Sequence, residues 1–244
     1  MECSTDVPII QIVDILGNYN YSIVAKSSAR KDPMYDIILF DLDGTLTDSG
    51  AGVKNGFIYA LEKFGIAAHP DELDKVMGPP LMDSFMQFYN FSFEDARTAV
   101  KYYREYYREK GVFENTLYDG IKELLEKLKG MGKTLCIATS KPDVFALQVL
   151  HMFDIHKYFD IISCATIDDK LCKKSDIVKI ALDRAGGNCY NAIMVGDRHH
   201  DVFGAHENSI KCIGVLYGYG DADEMKAAGA DFVALTPNDI LKYI

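Results

Sequence analysis

Apolar runs alternate with amphipathic segments along the second half of the chain. Runs typical of strands that are buried on both faces lie at 134–139, 159–164, 192–195, 210–215 and 232–235. Segments with apolar residues at helical spacing lie at 121–131, 144–153, 174–185, 201–208, 222–228 and 237–243. Because strands and helices alternate, the pattern predicts an α/β fold with a parallel sheet and helices on both faces.

A further strand is predicted earlier in the chain, where the apolar run Ile37–Phe40 ends in two carboxylates, Asp41 and Asp43. Gly44 and Thr45 follow directly. Open α/β sheets bind ligands at the carboxyl ends of their strands, and two carboxylates near one point suit a metal ion, a covalent nucleophile or an acid–base partner. A strand would point both acids to one face, whereas a turn would aim them apart. For an isolated pair, a polar strand end with a turn is the alternative.

Between this strand and residue 113, the sequence has helical patterns and no convincing strand. The helices are predicted at 51–64, 81–89 and 92–110, and a further short helix is predicted to begin at His69. We therefore predict a helical domain at 51–113, inserted into an α/β core made of 35–50 and 114–244. Four tyrosines of the last helix fall at helical spacing, which favours packing over a ring-stacking substrate site.

Residues 1–34 precede this pattern and are predicted to form an N-terminal extension. Helical spacing of apolar residues predicts a helix at 7–16, and a short strand is predicted at 19–24.

The charge and composition of the chain argue against several classes of partner. The formal net charge is -10 and the pI is about 5.0, which disfavours binding to nucleic acid or to an anionic membrane. No apolar run approaches the roughly 18 residues of a membrane span, and no signal peptide is evident. The cysteines form no C-x-x-C pair, so reduced, mostly buried thiols in a cytoplasmic protein are expected.

Polar residues also cluster where the other predicted strands end. In chain order they are Thr139, Ser140, Lys141, Lys173, Lys174, Asp197 and Asp201. If the first strand is central, with the strands at 134–139 and 192–195 beside it, these groups meet at the switch point of the sheet. Taken one by one, the same residues also fit helix caps, turns and a solvated charge.

Together, these polar groups fit one chemistry. Three or four carboxylates with a hydroxyl and a lysine, and without a Cys/His cluster, are typical of an oxygen-liganded Mg²⁺ beside an anion site. Phosphoryl transfer needs a nucleophile, a proton carrier, a metal ion and donors for the non-bridging oxygens.

These segments resemble the four motifs of the haloacid dehalogenase-like superfamily of phosphohydrolases. The stretch from Asp41 to Ser49 is similar to the first motif, and Gly78–Leu81, Tyr118–Gly120 and Thr139–Pro142 resemble the phosphoglycolate phosphatase-like branch. The resemblance runs from residue 35 to the C-terminus. It implies a Rossmann-like core, a small helical cap at 51–113, Mg²⁺ as cofactor and a small phosphorylated metabolite as substrate.

The resemblance also implies a role for each site residue. Asp41 would attack phosphorus and form an aspartyl-phosphate, and Asp43 would protonate the leaving alcohol and then activate water. Thr139 would hydrogen-bond a phosphoryl oxygen, and Lys174 would neutralise the nucleophile and the phosphate. The residues expected beside the phosphate or substrate are Gly44, Thr45, Ser140 and Lys141.

The implied metal site joins two of these acids to the motif at the end of the fourth core strand. Asp197 would hold Mg²⁺ together with Asp41 and the main-chain carbonyl of Asp43. Asp201 would support the metal shell.

The third motif departs from the family pattern because no proline follows its lysine. Lys174 is preferred as the motif lysine, with Lys173 as an alternative and Lys170 as a remoter one. The leading hypothesis is a Mg²⁺-dependent phosphatase acting on phosphoglycolate, a nucleotide, a sugar phosphate or pyrophosphate. A phosphomutase of the same fold is the alternative, and a non-catalytic regulator is a remoter one. The oligomeric state is left as monomer or homodimer.

Overall fold

The computed structural model of the protein describes residues 12–13, 19–20, 35–168, 170–187 and 190–244. The chain divides into two compact units, residues 1–33 and residues 34–244. Among the helices that the structure describes, none is both long and apolar enough to span a membrane.

In the first unit, Ile12–Val13 (β1) pairs antiparallel with Tyr19–Asn20 (β2). The helix predicted at 7–16 is therefore wrong at Ile12–Val13, because strand pairing holds these two residues extended. The strand predicted at 19–24 is confirmed at its first two residues. The other residues of both predictions lie outside the described part of the chain.

The second unit contains a six-stranded parallel sheet and a separate two-stranded pair. The strands are β3 (Ile37–Phe40), β4 (Thr47–Asp48), β5 (Thr116–Leu117), β6 (Thr134–Pro142), β7 (Ile161–Ala165), β8 (Ala192–Gly196), β9 (Lys211–Val215) and β10 (Phe232–Ala234). The order across the main sheet is β10-β9-β8-β3-β6-β7. The first core strand is therefore central, with β6 and β8 as its neighbours, which is the arrangement under which the polar strand ends meet.

The helices follow the predicted alternation closely. They are α1 (Gly50–Glu62), α2 (Leu81–Tyr89), α3 (Phe93–Glu109), α4 (Ile121–Gly130), α5 (Asp143–Met152), α6 (Lys174–Ala185), α7 (His199–Glu207) and α8 (Ala222–Ala228). The short helix predicted to begin at His69 is instead a pair of 3₁₀ turns, Pro70–Glu72 and Asp74–Val76. The last predicted helix is also a 3₁₀ segment, Pro237–Lys242.

Two apolar cores lie on opposite faces of the sheet. In β3, Ile38 and Phe40 pack with residues of α4 and α5, while Ile37 and Leu39 pack with residues of α6, α7 and α8. This alternation arises because successive side chains of a strand point to opposite faces. Burying each of these side chains stabilises the fold by about 1.5–3 kcal/mol relative to exposure. The strand that directly precedes Asp41 is thus firmly anchored.

The antiparallel pair β4–β5 was not predicted. Thr47 pairs with Leu117, and Asp48 pairs with Thr116. Each strand has two residues, which is too short for an alternating pattern to be recognised in the sequence. The pair brings together the chain entering α1 and the chain returning from the helical segment, so both connections run side by side.

Aromatic rings hold the helices of the 51–113 segment together. The ring of Phe57 lies 4.6 Å from that of Phe85 and 5.4 Å from that of Tyr103, and Tyr103 stacks on Tyr107 at 5.5 Å. Tyr103 and Tyr107 are buried. Packing is therefore the role of these two rings, although the hydroxyl of Tyr107 has a second contact, described below.

Candidate active site

The two acids that follow β3 are separated by a tight turn. The main-chain N–H groups of Thr45, Leu46 and Thr47 donate to the carbonyl of Leu42 at 3.3, 2.9 and 3.0 Å. Gly44 lies within the turn with a φ of +82°, in the left-handed region that favours glycine. Because the turn begins directly after the first acid, it aims the two acids at different neighbours.

Three carboxylates converge at the carboxyl end of the sheet. Asp41 follows β3, Asp197 follows β8, and Asp201 lies in the first turn of α7. One carboxylate oxygen of each residue lies within 4.8 Å of those of the other two. The sheet order explains this meeting, because β8 is a neighbour of β3. Asp197 and Asp201 are 0% and 1% exposed.

The ammonium of Lys174 contacts this carboxylate cluster. Its Nζ is 2.9 Å from Asp41 Oδ1 and 2.8 Å from Asp201 Oδ1, and it donates to the carbonyl of Ala138 at 3.1 Å. Burial disfavours the charged form of Lys174, but the carboxylates of Asp201 and Asp41 outweigh burial and raise its pKa. Lys174 therefore stays protonated and orients Asp41.

The other two lysines considered for this role lie at the surface. Lys173 is 2.7 Å from a carboxylate oxygen of Glu207, and its side chain is 61% exposed. Lys170 is 2.7 Å from Asp168, with its side chain 85% exposed. Of the three lysines, it is Lys174 that the structure brings to Asp41.

The electrostatics of the cluster favour a bound cation. Burial raises the pKa of Asp197 well above its usual range, and the charges of Asp201 and Asp41 add to this shift. Burial also raises the pKa of Asp201 to about 6, although Lys174 opposes the shift. When ionised, three carboxylates exceed one ammonium by two negative charges, which one divalent cation would balance. The all-oxygen donor set fits Mg²⁺.

The Asp43 carboxylate lies outside the group of three and has its own partner. Lys141 Nζ donates to Asp43 Oδ1 at 3.0 Å and to Asp43 Oδ2 at 2.8 Å. The same ammonium donates to the hydroxyl of Tyr107, in α3, at 2.6 Å. Burial alone would lower the pKa of Lys141, but the Asp43 carboxylate and Tyr107 raise it above its usual range. A cation from the core thus links the second acid to the helical segment.

The remaining predicted residues lie around the carboxylates in different ways. The hydroxyl of Thr45 is fully buried and donates to Asp197 Oδ1 at 3.2 Å. Thr139 is buried, and its Oγ1 accepts from the main-chain N–H of Lys141 at 3.2 Å. Ser140 is exposed, and its hydroxyl donates at 3.4 Å to a main-chain carbonyl in the loop before α6.

A sequence model of the family described as haloacid dehalogenase-like hydrolase matches residues 38–215. This span contains the three carboxylates, the second acid and the two lysines that contact these acids, Lys141 and Lys174. The chain belongs to the haloacid dehalogenase-like hydrolase family. The α/β fold and the family that the sequence predicted are confirmed.

Relatives of this hydrolase include proteins that are named for different activities. The chain is 44% identical over 195 residues to a 5'-nucleotidase of Pseudomonas aeruginosa, covering 79% of this chain and 88% of the relative. It is 37% identical over 198 residues to the tyrosine-protein kinase PtkA of Mycobacterium tuberculosis, covering 81% and 67%. A solved structure of a predicted phosphatase from Clostridium acetobutylicum matches with a TM-score of 0.82 and 45% identity, over 86% of this chain and 97% of that chain. The chain is thus an enzyme of the hydrolase family, as predicted.

The loop after β9 supports the carboxylate cluster of this hydrolase. The sequence analysis did not predict this role. The main-chain N–H of Tyr219 donates to Asp197 Oδ2 at 2.9 Å, and its hydroxyl donates to Asp48 Oδ1 at 2.9 Å. Tyr217 donates through its hydroxyl to the carbonyl of Thr45 at 3.0 Å. The feature of the sequence that could have indicated this role is the alternation of tyrosine and glycine over residues 217–220. Glycine is needed there because a side chain at Gly218 or Gly220 would collide with Gly44 or Asp197.

Replacing Gly218 by alanine is expected to destabilise the protein by about 1–3 kcal/mol and to disturb the carboxylate cluster. A Cβ at Gly218 would lie 2.2 Å from the carbonyl oxygen of Gly44 and 2.4 Å from the Cβ of Asp197, and neither atom can rotate away. Urea unfolding measures the change. Gly130→Ala is the matched control, because a Cβ at the end of α4 would meet no atom within 4 Å. Equal stability of the two variants would contradict this account.

Arg198 makes a second contact between the helical segment and the core. Its Nε donates to the two carboxylate oxygens of Glu224 at 2.9 and 3.2 Å, and its Nη1 donates to the carbonyl of Met77. A Cβ at Gly78 would lie 2.3 Å from the same nitrogen, and the φ of Gly78 is +106°. Glycine therefore allows this loop to approach Arg198, which directly follows Asp197.

Proposed function

We propose that the chain is a Mg²⁺-dependent phosphatase that hydrolyses a small phosphomonoester through an aspartyl-phosphate. The position of Asp41 carries this proposal. Its carboxylate is 2.9 Å from the ammonium of Lys174 and lies in one cluster with Asp197 and Asp201. The carboxylate of Asp43 lies outside this cluster but follows in the same turn. Such an arrangement supplies a nucleophile and a separate proton carrier.

The chemistry divides into two displacements. In the first, an oxygen of Asp41 bonds to phosphorus, the ester bond breaks, and Asp43 gives its proton to the leaving alcohol. In the second, Asp43 takes a proton from water, the water oxygen attacks phosphorus, and the bond to Asp41 breaks to release inorganic phosphate. Lys174 would neutralise the charge of Asp41 and of the phosphoryl group by its position beside them, since its three N–H donors already have acceptors in Asp41, Asp201 and the carbonyl of Ala138. Thr139 would hydrogen-bond a phosphoryl oxygen, because its Oγ1 accepts from a main-chain N–H and its own O–H remains to donate.

Asp41, Asp197 and the main-chain carbonyl of Asp43 would hold the metal ion, with Asp201 supporting the site. When bound there, Mg²⁺ supplies charge neutralisation for the carboxylate and the phosphoryl group. The cluster of three carboxylates, two of them buried, supports this assignment. We also propose that residues 51–113 act as a cap that closes over the site and selects the substrate.

Nucleoside 5'-monophosphates are the substrates that we expect to be preferred, because the relative named 5'-nucleotidase is 44% identical. With Mg²⁺ present, kcat/KM for a nucleoside 5'-monophosphate should exceed that for phosphoglycolate, a hexose 1-phosphate or pyrophosphate by about tenfold. Phosphate release across this panel measures the preference. A higher kcat/KM for phosphoglycolate or pyrophosphate would overturn the assignment of the substrate.

Phosphoryl transfer to an acceptor other than water is a second candidate, because one relative at 37% identity is named a tyrosine-protein kinase. A phosphomutase would also transfer the group. Analysis of products distinguishes these functions: hydrolysis yields inorganic phosphate, a mutase yields a hexose 6-phosphate from a hexose 1-phosphate, and a kinase yields phosphotyrosine from ATP and a peptide. Absence of turnover in all of these assays, with folded protein and Mg²⁺, would favour a non-catalytic regulator.

A further inference from the structure

Lys141 connects α3 of the helical segment to the carboxylate of Asp43. An ammonium has three N–H donors. The three acceptors around Lys141 Nζ are Asp43 Oδ1 at 3.0 Å, Asp43 Oδ2 at 2.8 Å and the hydroxyl of Tyr107 at 2.6 Å. The Lys141 side chain is 5% exposed. In this arrangement every donor of Lys141 is used within the protein, and none is left for a phosphate.

Contacts on two sides of the Tyr107 ring fix the position of its hydroxyl. Its ring stacks on Tyr103 of the same helix, with ring centroids 5.5 Å apart, and meets Phe145 of α5 edge-on at 5.2 Å. Tyr107 is 3% exposed. Because Tyr107 belongs to the helical segment and Lys141 and Phe145 belong to the core, the contact exists only when the segment is seated on the core.

We propose that Tyr107 and Lys141 are positioning residues that hold the Asp43 carboxylate in place only while the helical segment is seated. The inference rests on the proposed function, in which Asp43 carries the proton. When the segment lifts, Lys141 loses the acceptor that fixes its ammonium, and Asp43 loses a rigid partner. Proton transfer from Asp43 to the leaving alcohol is thereby confined to the closed enzyme, in which bulk water is excluded during the first displacement.

Tyr107→Phe tests this role with the removal of one oxygen atom. The ring and its packing are kept, so the protein should fold. We expect kcat to fall about tenfold, with KM changed by less than about twofold, because the hydroxyl acts through Lys141 rather than on the substrate. Tyr59→Phe is the matched control: the hydroxyl of Tyr59 donates to Glu105 at 2.9 Å, between two helices of the segment. This control should keep the wild-type kcat.

A double-mutant cycle tests whether Tyr107 acts through Lys141. Lys141→Met should lower kcat by roughly 100-fold, and Lys141→Arg should restore part of the activity because it keeps a cation beside Asp43. Tyr107→Phe combined with Lys141→Met should be no slower than Lys141→Met alone. If the loss of kcat in the double variant is instead the product of the two separate losses, the proposed link is overturned.

Amide hydrogen exchange of the substrate-free protein provides a readout that does not depend on turnover. We expect faster exchange in α3 and in the β4–β5 pair of Tyr107→Phe than in Tyr59→Phe, because one contact that seats the segment is lost. Identical exchange rates in α3 and in the β4–β5 pair of the two variants would contradict the inference. If the wild-type protein shows no Mg²⁺-dependent phosphate release, the proposed function fails, and the exchange comparison alone decides whether Tyr107 seats the segment.

Discussion

The Asp41→Asn protein is expected to release phosphate from any phosphomonoester at least roughly 10³-fold more slowly than the wild type. An amide of the same shape is a poor nucleophile, and it has no negative charge to pair with Lys174, which lies 2.9 Å from Asp41 Oδ1. The measurement is Mg²⁺-dependent release of inorganic phosphate at saturating nucleoside 5'-monophosphate. Acid-quenched protein, analysed by mass spectrometry, should show a phosphorylated peptide in the wild type and none in the variant.

Asp36→Asn is the matched control for this substitution. Asp36 directly precedes β3, at the opposite end of the strand from Asp41, and its 65% exposed side chain lies 3.4 Å from Lys133 Nζ. The control makes the same chemical change beside the same strand, so it should keep the wild-type rate. Wild-type turnover by Asp41→Asn would rule out the covalent mechanism.

The second large effect is expected at the metal site. Asp197→Asn should abolish both Mg²⁺-dependent turnover and the thermal stabilisation that Mg²⁺ provides. For the wild type, Mg²⁺ at 100 times its Kd stabilises the folded state by about 2.7 kcal/mol, which raises the unfolding midpoint. The variant should lose this response, because a neutral amide neither balances the charge of the cation nor provides two carboxylate oxygens.

The metal-free Asp197→Asn protein should be at least as stable as the metal-free wild type. Burial raises the pKa of Asp197 because the charged form is desolvated beside Asp201 and Asp41, so ionisation of this group opposes folding at neutral pH. The two carboxylate oxygens now accept from the hydroxyl of Thr45 and the main-chain N–H of Tyr219. An asparagine keeps both contacts when its oxygen accepts from Tyr219 and its NH₂ group donates to the Thr45 hydroxyl. Calorimetric melting with and without Mg²⁺ measures both effects. Asp36→Asn should respond to Mg²⁺ as the wild type does, and an unchanged Mg²⁺ response in Asp197→Asn would contradict the assignment.

Local patterns were sufficient for most of the core. The helix predicted at 174–185 begins and ends at the predicted residues, because Gly186 stops it in a left-handed conformation. The meeting of the polar strand ends was inferred on the condition that β3 is central, and the sheet order meets this condition. The β4–β5 pair could not be predicted in this way, since two-residue strands form through pairing with each other and carry no periodic pattern of their own.

Positions of individual side chains were predicted less completely. Sequence pattern left three lysines open for one role, and only the packing of α6 against the carboxylate cluster distinguishes Lys174 from Lys173. Tyr107 was interpreted as a packing residue, and its ring does pack, but the contact of its hydroxyl with Lys141 joins residues 34 positions apart. Periodicity within one helix holds no information about such a contact.

The sequence by itself determined the fold class, the family and the group of acids at the ends of β3 and β8. These properties depend on apolar periodicity and on residues a few positions apart, and both can be recognised directly in the amino-acid sequence. The tertiary structure decided which groups touch: that Asp41 faces Lys174 and two buried carboxylates, and that Asp43 faces Lys141 instead. The physical reason is that charge balance, donor count and burial depend on distances between segments remote in sequence, and folding alone sets those distances.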